Sequence, residues 1–201
     1  MDTRPTDPAT VAATTMRDRL PLFIAGAGLL ALPLIMPAIG LTVTSATEVV
    51  IFAIACMALN VLVGYTGLVS FGHGAWFGLA AYAAGLAQRN LFPDGFILPV
   101  LLAIGFIVVI SGLSGMLILR RRGVYFSLLT LALSAMLYVI AFRWTALTGG
   151  EDGLGGITRP SYFGLSFDSR INYYILVAAV AFLVVWFLWR FHRSAVGQVL
   201  V

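Results

Sequence analysis

Long apolar runs alternate with short polar segments along the chain, and most of the runs are long enough to cross a bilayer as a helix. A helix needs about 20 apolar residues to span the hydrocarbon layer. The pattern predicts six such helices, at about 20–39, 49–63, 68–87, 96–119, 124–142 and 171–189. Residues 143–170 form the longest polar segment between runs. Pro33 and Pro37 are expected to kink or end the first helix, because proline lacks a backbone N–H.

The composition places the chain in a membrane. Hydrophobic residues make up 61% of the chain and charged residues 10%, and the mean hydropathy is +1.01. A soluble domain has about 45–50% apolar and about 25% charged residues, so this chain has too few charges to cover its apolar side chains in water. We therefore predict an all-α integral membrane protein, a polytopic bundle of about six transmembrane helices within a permease domain at residues 20–193.

The arginines predict the orientation of this bundle. With the N-terminus in the cytoplasm and six helices alternating, eight arginines fall in cytoplasmic segments and four in external ones. Cytoplasmic loops carry an excess of basic residues, so both termini are predicted inside, with 1–19 as a tail and 194–201 as the start of a cytoplasmic segment. Aromatic residues near the helix ends fit either an interfacial belt or ordinary packing (Trp144, Tyr173, Tyr174, Trp186 and Trp189). The topology determinants are Arg120, Arg121, Arg122, Arg190 and Arg193.

The residue types that the chain lacks exclude several classes of enzyme. All twelve basic residues are arginine, whereas a Walker A loop and a Schiff-base enzyme each require a lysine. Any linked ATP hydrolysis is therefore expected on separate partner chains. Two histidines and the single Cys56 are too far apart in sequence for a metal site, and we expect no cofactor. Ser70 and His73 would share a helix face, but no carboxylate nearby in sequence completes a catalytic triad, so we assign no catalytic residue.

The predicted helices are almost free of ionisable residues. Glu48 at a helix boundary and His73 are the groups there that titrate near neutral pH. Proton-coupled transporters carry intramembrane ionisable residues as functional groups, so the pattern favours a translocation subunit that is powered from elsewhere. A secondary transporter or channel subunit that works without ATPases is the alternative.

The stretch GYTGLVSFGHGAWFG at residues 64–78 holds five glycines and one of the two histidines. A phosphate cradle is excluded, because neither a nucleotide motif nor a lysine accompanies it. Helix packing is the favoured interpretation, since small residues let membrane helices approach closely. The residues predicted to pack helices are Asn60, Gly74, Gly78 and Gly85, with Asn60 as an interhelical hydrogen-bonding group.

A broken helix is the other interpretation of this stretch. A turn at Gly64–Gly67 would be followed by a helix that begins near Leu68 and faces a cavity. Non-helical backbone within a membrane is tolerated where it is buried in protein or lines such a cavity. The candidates for the substrate pathway are then Gly67, Ser70 and His73, although His73 is interpreted first as a neutral ring bonded to a neighbouring helix.

Three motifs follow one another along the chain. They are ALNVLVGYTGLVSFGHGAWFGLAAYAAG at 58–85, RRRGVYFSLLTLA at 120–132 and LTGGEDGLGGI at 147–157. Together they resemble the LivM-type permease subunits of branched-chain amino acid ABC importers. The resemblance implies a multi-pass subunit in a bacterial inner membrane that imports branched-chain or other hydrophobic amino acids.

The same resemblance implies several partners, and in one respect the chain differs from the family. The partners are a second homologous permease subunit, two cytoplasmic ATPase subunits, a periplasmic substrate-binding protein and the lipid bilayer, with no nucleic acid. Closely related permeases serve urea or short amides, and the motifs do not separate these substrates. Permeases of this family continue past a motif like RSAVGQVLV into a segment that docks the ATPase, so we expect the chain to be truncated at its C-terminus.

Overall fold

The computed structural model describes residues 8–93, 95–120, 123–157, 161–162 and 165–194. These residues form, in order, α1 (Pro8–Ala38), α2 (Val43–Thr66), α3 (His73–Asn90), α4 (Ile97–Ile118), α5 (Val124–Arg143), the short α6 (Thr145–Thr148), a 3-10 turn (Gly150–Asp152), β1 (Ser161–Tyr162), β2 (Leu165–Ser166) and α7 (Arg170–His192). The two short strands pair antiparallel, with Ser161 opposite Ser166. The predicted all-α class is confirmed. Arg121, Arg122 and residues 195–201 lie outside the described residues.

Five helices are long and apolar enough to cross a membrane: Leu20–Ala38 within α1, and the whole of α2, α4, α5 and α7. Their outward surfaces are apolar, and Leu30 and Leu34 are each 76% exposed. Such exposure in water would cost about 25 cal/mol for every Å² of apolar surface, whereas lipid tails accept it. The chain is therefore a polytopic membrane helical bundle. The count of six spans and the cytoplasmic position of both termini stay predictions.

The third predicted span differs from the other five. α3 is 18 residues long and ends in Gln88, Arg89 and Asn90. It is not among the helices whose length and hydropathy qualify them to cross a membrane. Its composition suits a helix that other protein surrounds better than one that faces lipid.

The chain divides into two compact units, and the first contains Met1–Ile54 and Tyr173–Val201. Its core joins α1, the first half of α2 and α7 around the buried residues Ala46, Val50, Tyr174 and Ala181. The Tyr174 hydroxyl donates a hydrogen bond to the carbonyl oxygen of Leu29 in α1. In a helix that oxygen would accept from residue 33, which is a proline without an N–H. Tyr174 therefore replaces the missing donor and belongs to the core, and α1 continues past Pro33 to Ala38.

The second unit, Ala55–Asn172, contains the end of α2 and the elements from α3 to the strand hairpin. α3 contacts both α4 and α5, and its contact with α4 is the more extensive. α3 and α5 run in the same direction, since Gly72 just before α3 meets Thr130 in α5, and later residues of both helices line one cavity. The candidate site lies along this contact.

Candidate functional site

The helical backbone is interrupted between α2 and α3 over residues 67–72, which we call the break. Gly67 has a φ of +64°, a left-handed conformation that glycine adopts without steric cost. Its N–H bonds the carbonyl oxygen of Val63 at 3.0 Å, so Gly67 ends α2 in the manner of a C-terminal glycine. The turn predicted at Gly64–Gly67 is therefore wrong in position, because residues 64–66 are still helical. The next helix begins at His73, later than the predicted Leu68.

Two hydroxyl groups of α5 hold the break. The Ser127 Oγ donates to the carbonyl oxygen of Val69 at 2.6 Å. The Thr130 Oγ1 accepts the backbone N–H of Phe71 at 3.2 Å and donates to the carbonyl oxygen of Ser127 at 2.9 Å. Lipid offers no hydrogen bonds to exposed backbone, so a broken helix in a membrane must be satisfied by the protein itself. The two hydroxyls meet part of that requirement.

The break contacts α5 in the first two turns of that helix. Ser127 and Thr130 follow the first residue of α5, Val124, by about 5 Å and 9 Å along the axis at 1.5 Å per residue. Thr130 is 4% exposed and Ser70 is 9% exposed. Ser70 turns its own Oγ towards the break and accepts the N–H of Gly72 at 3.3 Å. Ser70 and Gly72 of the break are thus buried against α5, whereas Gly67, Val69 and Phe71 are exposed.

Gly72 permits the closest approach between the break and α5. A Cβ at this position would lie 2.7 Å from the backbone oxygen of Thr130 and 3.2 Å from its Cβ. Gly74 and Gly78, in the first and second turns of α3, are different, because no atom lies within 4 Å of the Cβ position at either. They line an open cavity between α3 and α5. Their predicted role in packing against another helix therefore stays a prediction.

The loop that follows α5 reaches α3 at Gly85. A Cβ on Gly85 would lie 2.7 Å from the Cδ2 of Leu154 and 2.9 Å from the Cδ1 of Ile157. The Thr148 hydroxyl ties the start of this loop to the end of α5 by donating towards the carbonyl oxygens of Ala141 and Trp144. The three sequence motifs therefore meet in space: the first contacts the second at the break and the third at Gly85.

The remaining predicted residues lie apart from the break or at its edge. His73 is the first residue of α3, is half-buried, and has no side-chain hydrogen bond within the described part of the chain. Asn60 is exposed on α2, and Arg120 is exposed after α4. The guanidinium groups of Arg190 and Arg193 lie 6.0 Å and 4.9 Å above the rings of Trp186 and Trp189.

Ser127 and Thr130 are residues that reasoning from the sequence missed. Their signal was a pair of hydroxyl side chains three residues apart near the start of a mostly apolar helix. Such groups often bond their own helix backbone, so their presence alone does not show that they hold another segment. Over the described ranges, no three His, Cys, Asp or Glu side chains lie close enough to bind a metal ion.

Comparison with known proteins identifies the family. A family model described as "Branched-chain amino acid transport system / permease component" matches residues 41–201. The chain belongs to this permease family. The resemblance drawn from the three motifs is thereby confirmed, and all three lie within the matched range. The description of the family names permease components of a transport system, and the long apolar helices are those of a multi-pass membrane protein.

Two curated relatives resemble this permease. The high-affinity branched-chain amino acid transport system permease protein LivM of Escherichia coli (strain K12) is 34% identical over 130 residues, which cover 63% of this chain and 30% of that relative. The protein of the same name from Salmonella typhimurium (strain LT2) is 34% identical over 128 residues, again 63% of this chain and 30% of the relative. The chain thus aligns with less than a third of the length of these relatives. No solved structure matches it.

Proposed function

We propose that the chain is a membrane-spanning permease subunit of an ATP-driven importer for branched-chain or other hydrophobic amino acids. The observation that carries the proposal is the family match over residues 41–201. That range contains the break, the two hydroxyls of α5 that hold it, and the loop that reaches Gly85. Both curated relatives are named as branched-chain amino acid permeases, which supports this class of substrate.

The residue types present support an energy source on separate chains. The 201 residues contain no lysine, and a phosphate-binding Walker A loop requires one. We therefore assign ATP hydrolysis to two cytoplasmic ATPase subunits on separate chains. The proposed complex also contains a second homologous permease subunit and a periplasmic substrate-binding protein, in a bacterial inner membrane.

Gly67, Ser70 and His73 are proposed to lie on the substrate pathway. Gly67 and Ser70 belong to the break, and His73 is the first residue of α3, directly after the break. The N-terminal end of a helix carries about half a positive charge, so the start of α3 would attract the carboxylate of a passing amino acid. Because His73 has no hydrogen-bond partner in the described ranges, its ring is available to a solute.

Purification of the full-length protein tests the assembly. We expect affinity capture from membranes solubilised in mild detergent to bring down two ATPase chains and a second permease in a fixed ratio. Mass spectrometry of the captured material identifies them. Recovery of the protein without any ATPase chain would contradict the proposal and favour a secondary transporter or a channel subunit.

Transport by variants tests the pathway residues. We expect Gly67→Leu and His73→Ala to lower uptake of radiolabelled leucine by the full-length protein with its partners. Gly64→Leu is the matched control for the first change, because Gly64 is helical and no atom lies within 4 Å of its Cβ position. Unchanged uptake in both Gly67→Leu and His73→Ala would show that the break does not lie on the substrate pathway.

A further inference from the structure

A cavity of about 270 Å³ lies between α3 and α5. Gly74, Gly78 and Tyr82 line it from α3, and Ser134 and Tyr138 line it from α5. It shares Tyr82 and other lining residues with a wider apolar groove of about 660 Å³, which reaches Asn90 at the end of α3. Together the two spaces follow α3 from Gly74 to Asn90, about 24 Å at 1.5 Å per residue. A hydrocarbon layer is about 30 Å thick, so they extend along most of a membrane-spanning length.

The walls of the cavity are apolar apart from three hydroxyl groups. Tyr82, Ser134 and Tyr138 carry them, and none of the three has a hydrogen-bond partner among the residues that the structure describes. Serine within a helix commonly bonds the carbonyl oxygen one turn earlier, and Thr130 in the same helix makes a bond of this kind. The hydroxyl of Ser134 makes none, so it is free to bind a solute.

No Asp, Glu, His, Lys or Arg side chain of α3 or α5 lines the cavity. The histidine and the arginines of α3 and α5 are at the helix ends, at His73, Arg89 and Arg143. A solute with a net charge would therefore lose its hydration without gaining a compensating ion pair. A neutral or zwitterionic solute with an aliphatic part loses less, because hydroxyls can bind its polar end and the apolar walls its side chain.

We propose that this cavity binds the transported solute, a zwitterionic amino acid with an aliphatic side chain, during its passage along α3. The inference rests on the proposed function and adds the place where the solute binds. A largely apolar cavity with a few convergent polar groups is the usual form of a small-molecule site. The open Cβ positions of Gly74 and Gly78 supply the space for the aliphatic side chain.

Filling the cavity from α3 tests the proposal. Gly78→Leu adds an isobutyl group where no atom lies within 4 Å, so the fold should accept it while the cavity closes. Gly112→Leu is the matched control, since Gly112 is an exposed glycine of α4 with equally open surroundings. We expect Gly78→Leu to lower uptake of radiolabelled leucine by the full-length protein with its partners about tenfold or more, the scale on which single methylene groups act in apolar sites. Gly112→Leu should transport like the wild type.

A second variant closes the cavity from the other helix. Ser134→Val replaces the hydroxyl by a methyl group and adds a second methyl group, and we expect it to lower leucine uptake as well. Normal uptake in both Gly78→Leu and Ser134→Val, with the wild type active, would overturn this inference and leave the proposed function standing. Failure of Gly78→Leu to co-purify with the partner subunits would overturn it too, by showing that a helix docks there. No leucine uptake by the wild type would overturn the proposed function and this inference with it.

Discussion

Ser127 and Ser111 show how the same residue type has different roles in two helices of this permease. Ser127 Oγ donates to the carbonyl oxygen of Val69 across the break, whereas Ser111 Oγ donates to Val108 within its own helix. Ser127→Ala should lower stability by about 1 kcal/mol, because the carbonyl oxygen loses its donor. Ser111→Ala should have little effect.

The measurement is the thermal unfolding midpoint of the full-length protein in detergent, compared between the two serine variants. A larger decrease of the unfolding midpoint in Ser127→Ala would support the role of the Ser127 hydroxyl in holding the break. Equal midpoints for the two variants would contradict it. Thr130→Ser serves as a further control, because it keeps the hydroxyl that accepts the N–H of Phe71.

Alanine substitutions at three glycines should change stability by different amounts, according to how closely other atoms approach each Cβ position. Alanine at Gly72 would meet the backbone oxygen of Thr130 at 2.7 Å, and alanine at Gly85 would meet flexible ends of Leu154 and Ile157. We expect Gly72→Ala to destabilise by about 1–3 kcal/mol, the usual range for overpacking, and Gly85→Ala to cost less. Gly74→Ala should be neutral or stabilising by up to about 1 kcal/mol, since its surroundings are open and alanine favours helix.

Unfolding midpoints of the three variants check this ranking. A Gly72→Ala protein as stable as Gly74→Ala would show that the break does not lie against α5. The sequence predicted a packing role for Gly74 and Gly85 and none for Gly72, which makes the closest contact of the three with backbone. The difference depends on what stands opposite each Cβ position, and Thr130 is 58 residues away from Gly72 along the chain.

α1 and α7 provide a prediction at the scale of whole helices. Pro33 removes the donor that the carbonyl oxygen of Leu29 would have in an unbroken helix, and the hydroxyl of Tyr174 takes its place. Tyr174→Phe should therefore destabilise the protein by about 1 kcal/mol, because a part-buried acceptor loses its donor. In a Pro33→Ala background the same change should cost much less, because an alanine in place of the proline would restore the N–H.

A double-mutant cycle of these two substitutions, followed by thermal unfolding, measures the coupling. We expect a coupling free energy of about 1 kcal/mol or more, within the range found for contacting residues. Additive effects of the two changes would show that Tyr174 does not compensate for Pro33.

Helices and breaks differ in how far the sequence predicts them. The apolar runs predicted the five helices that are long and apolar enough to cross a membrane, because the bilayer sets the length of such a run. The start of α3 was misplaced, since its position depends on the glycine conformation at Gly67 and on hydroxyls of a helix later in the chain. The role of Tyr174 was missed for a similar reason. Pro33 predicts that the carbonyl oxygen of Leu29 lacks its usual helical donor, but the hydroxyl that replaces this donor comes from α7, 145 residues away along the chain.

The orientation of the whole molecule can be tested with single cysteines on either side of α4. Arg89 lies before this helix and Arg120 just after it, and both are exposed. Cys56→Ala removes the chain's single cysteine and provides the unlabelled background. In intact cells with a permeable outer membrane, we expect a membrane-impermeant maleimide to label Arg89→Cys and not Arg120→Cys, because basic residues concentrate on the cytoplasmic side.

Permeabilisation of the inner membrane should make Arg120→Cys reactive as well. The reverse pattern in intact cells would invert the predicted topology. Labelling of both positions without permeabilisation would show that α4 does not cross the membrane.

ATP-dependent uptake tests the central claim about the whole molecule most directly. The full-length permease is reconstituted into liposomes with its co-purified partners and the substrate-binding protein, and radiolabelled leucine is followed. We predict leucine uptake that requires hydrolysable ATP on the side of the ATPase subunits and that stops with a non-hydrolysable analogue. Uptake at the same rate by liposomes that contain the permease alone, without ATP or ATPase subunits, would contradict the account.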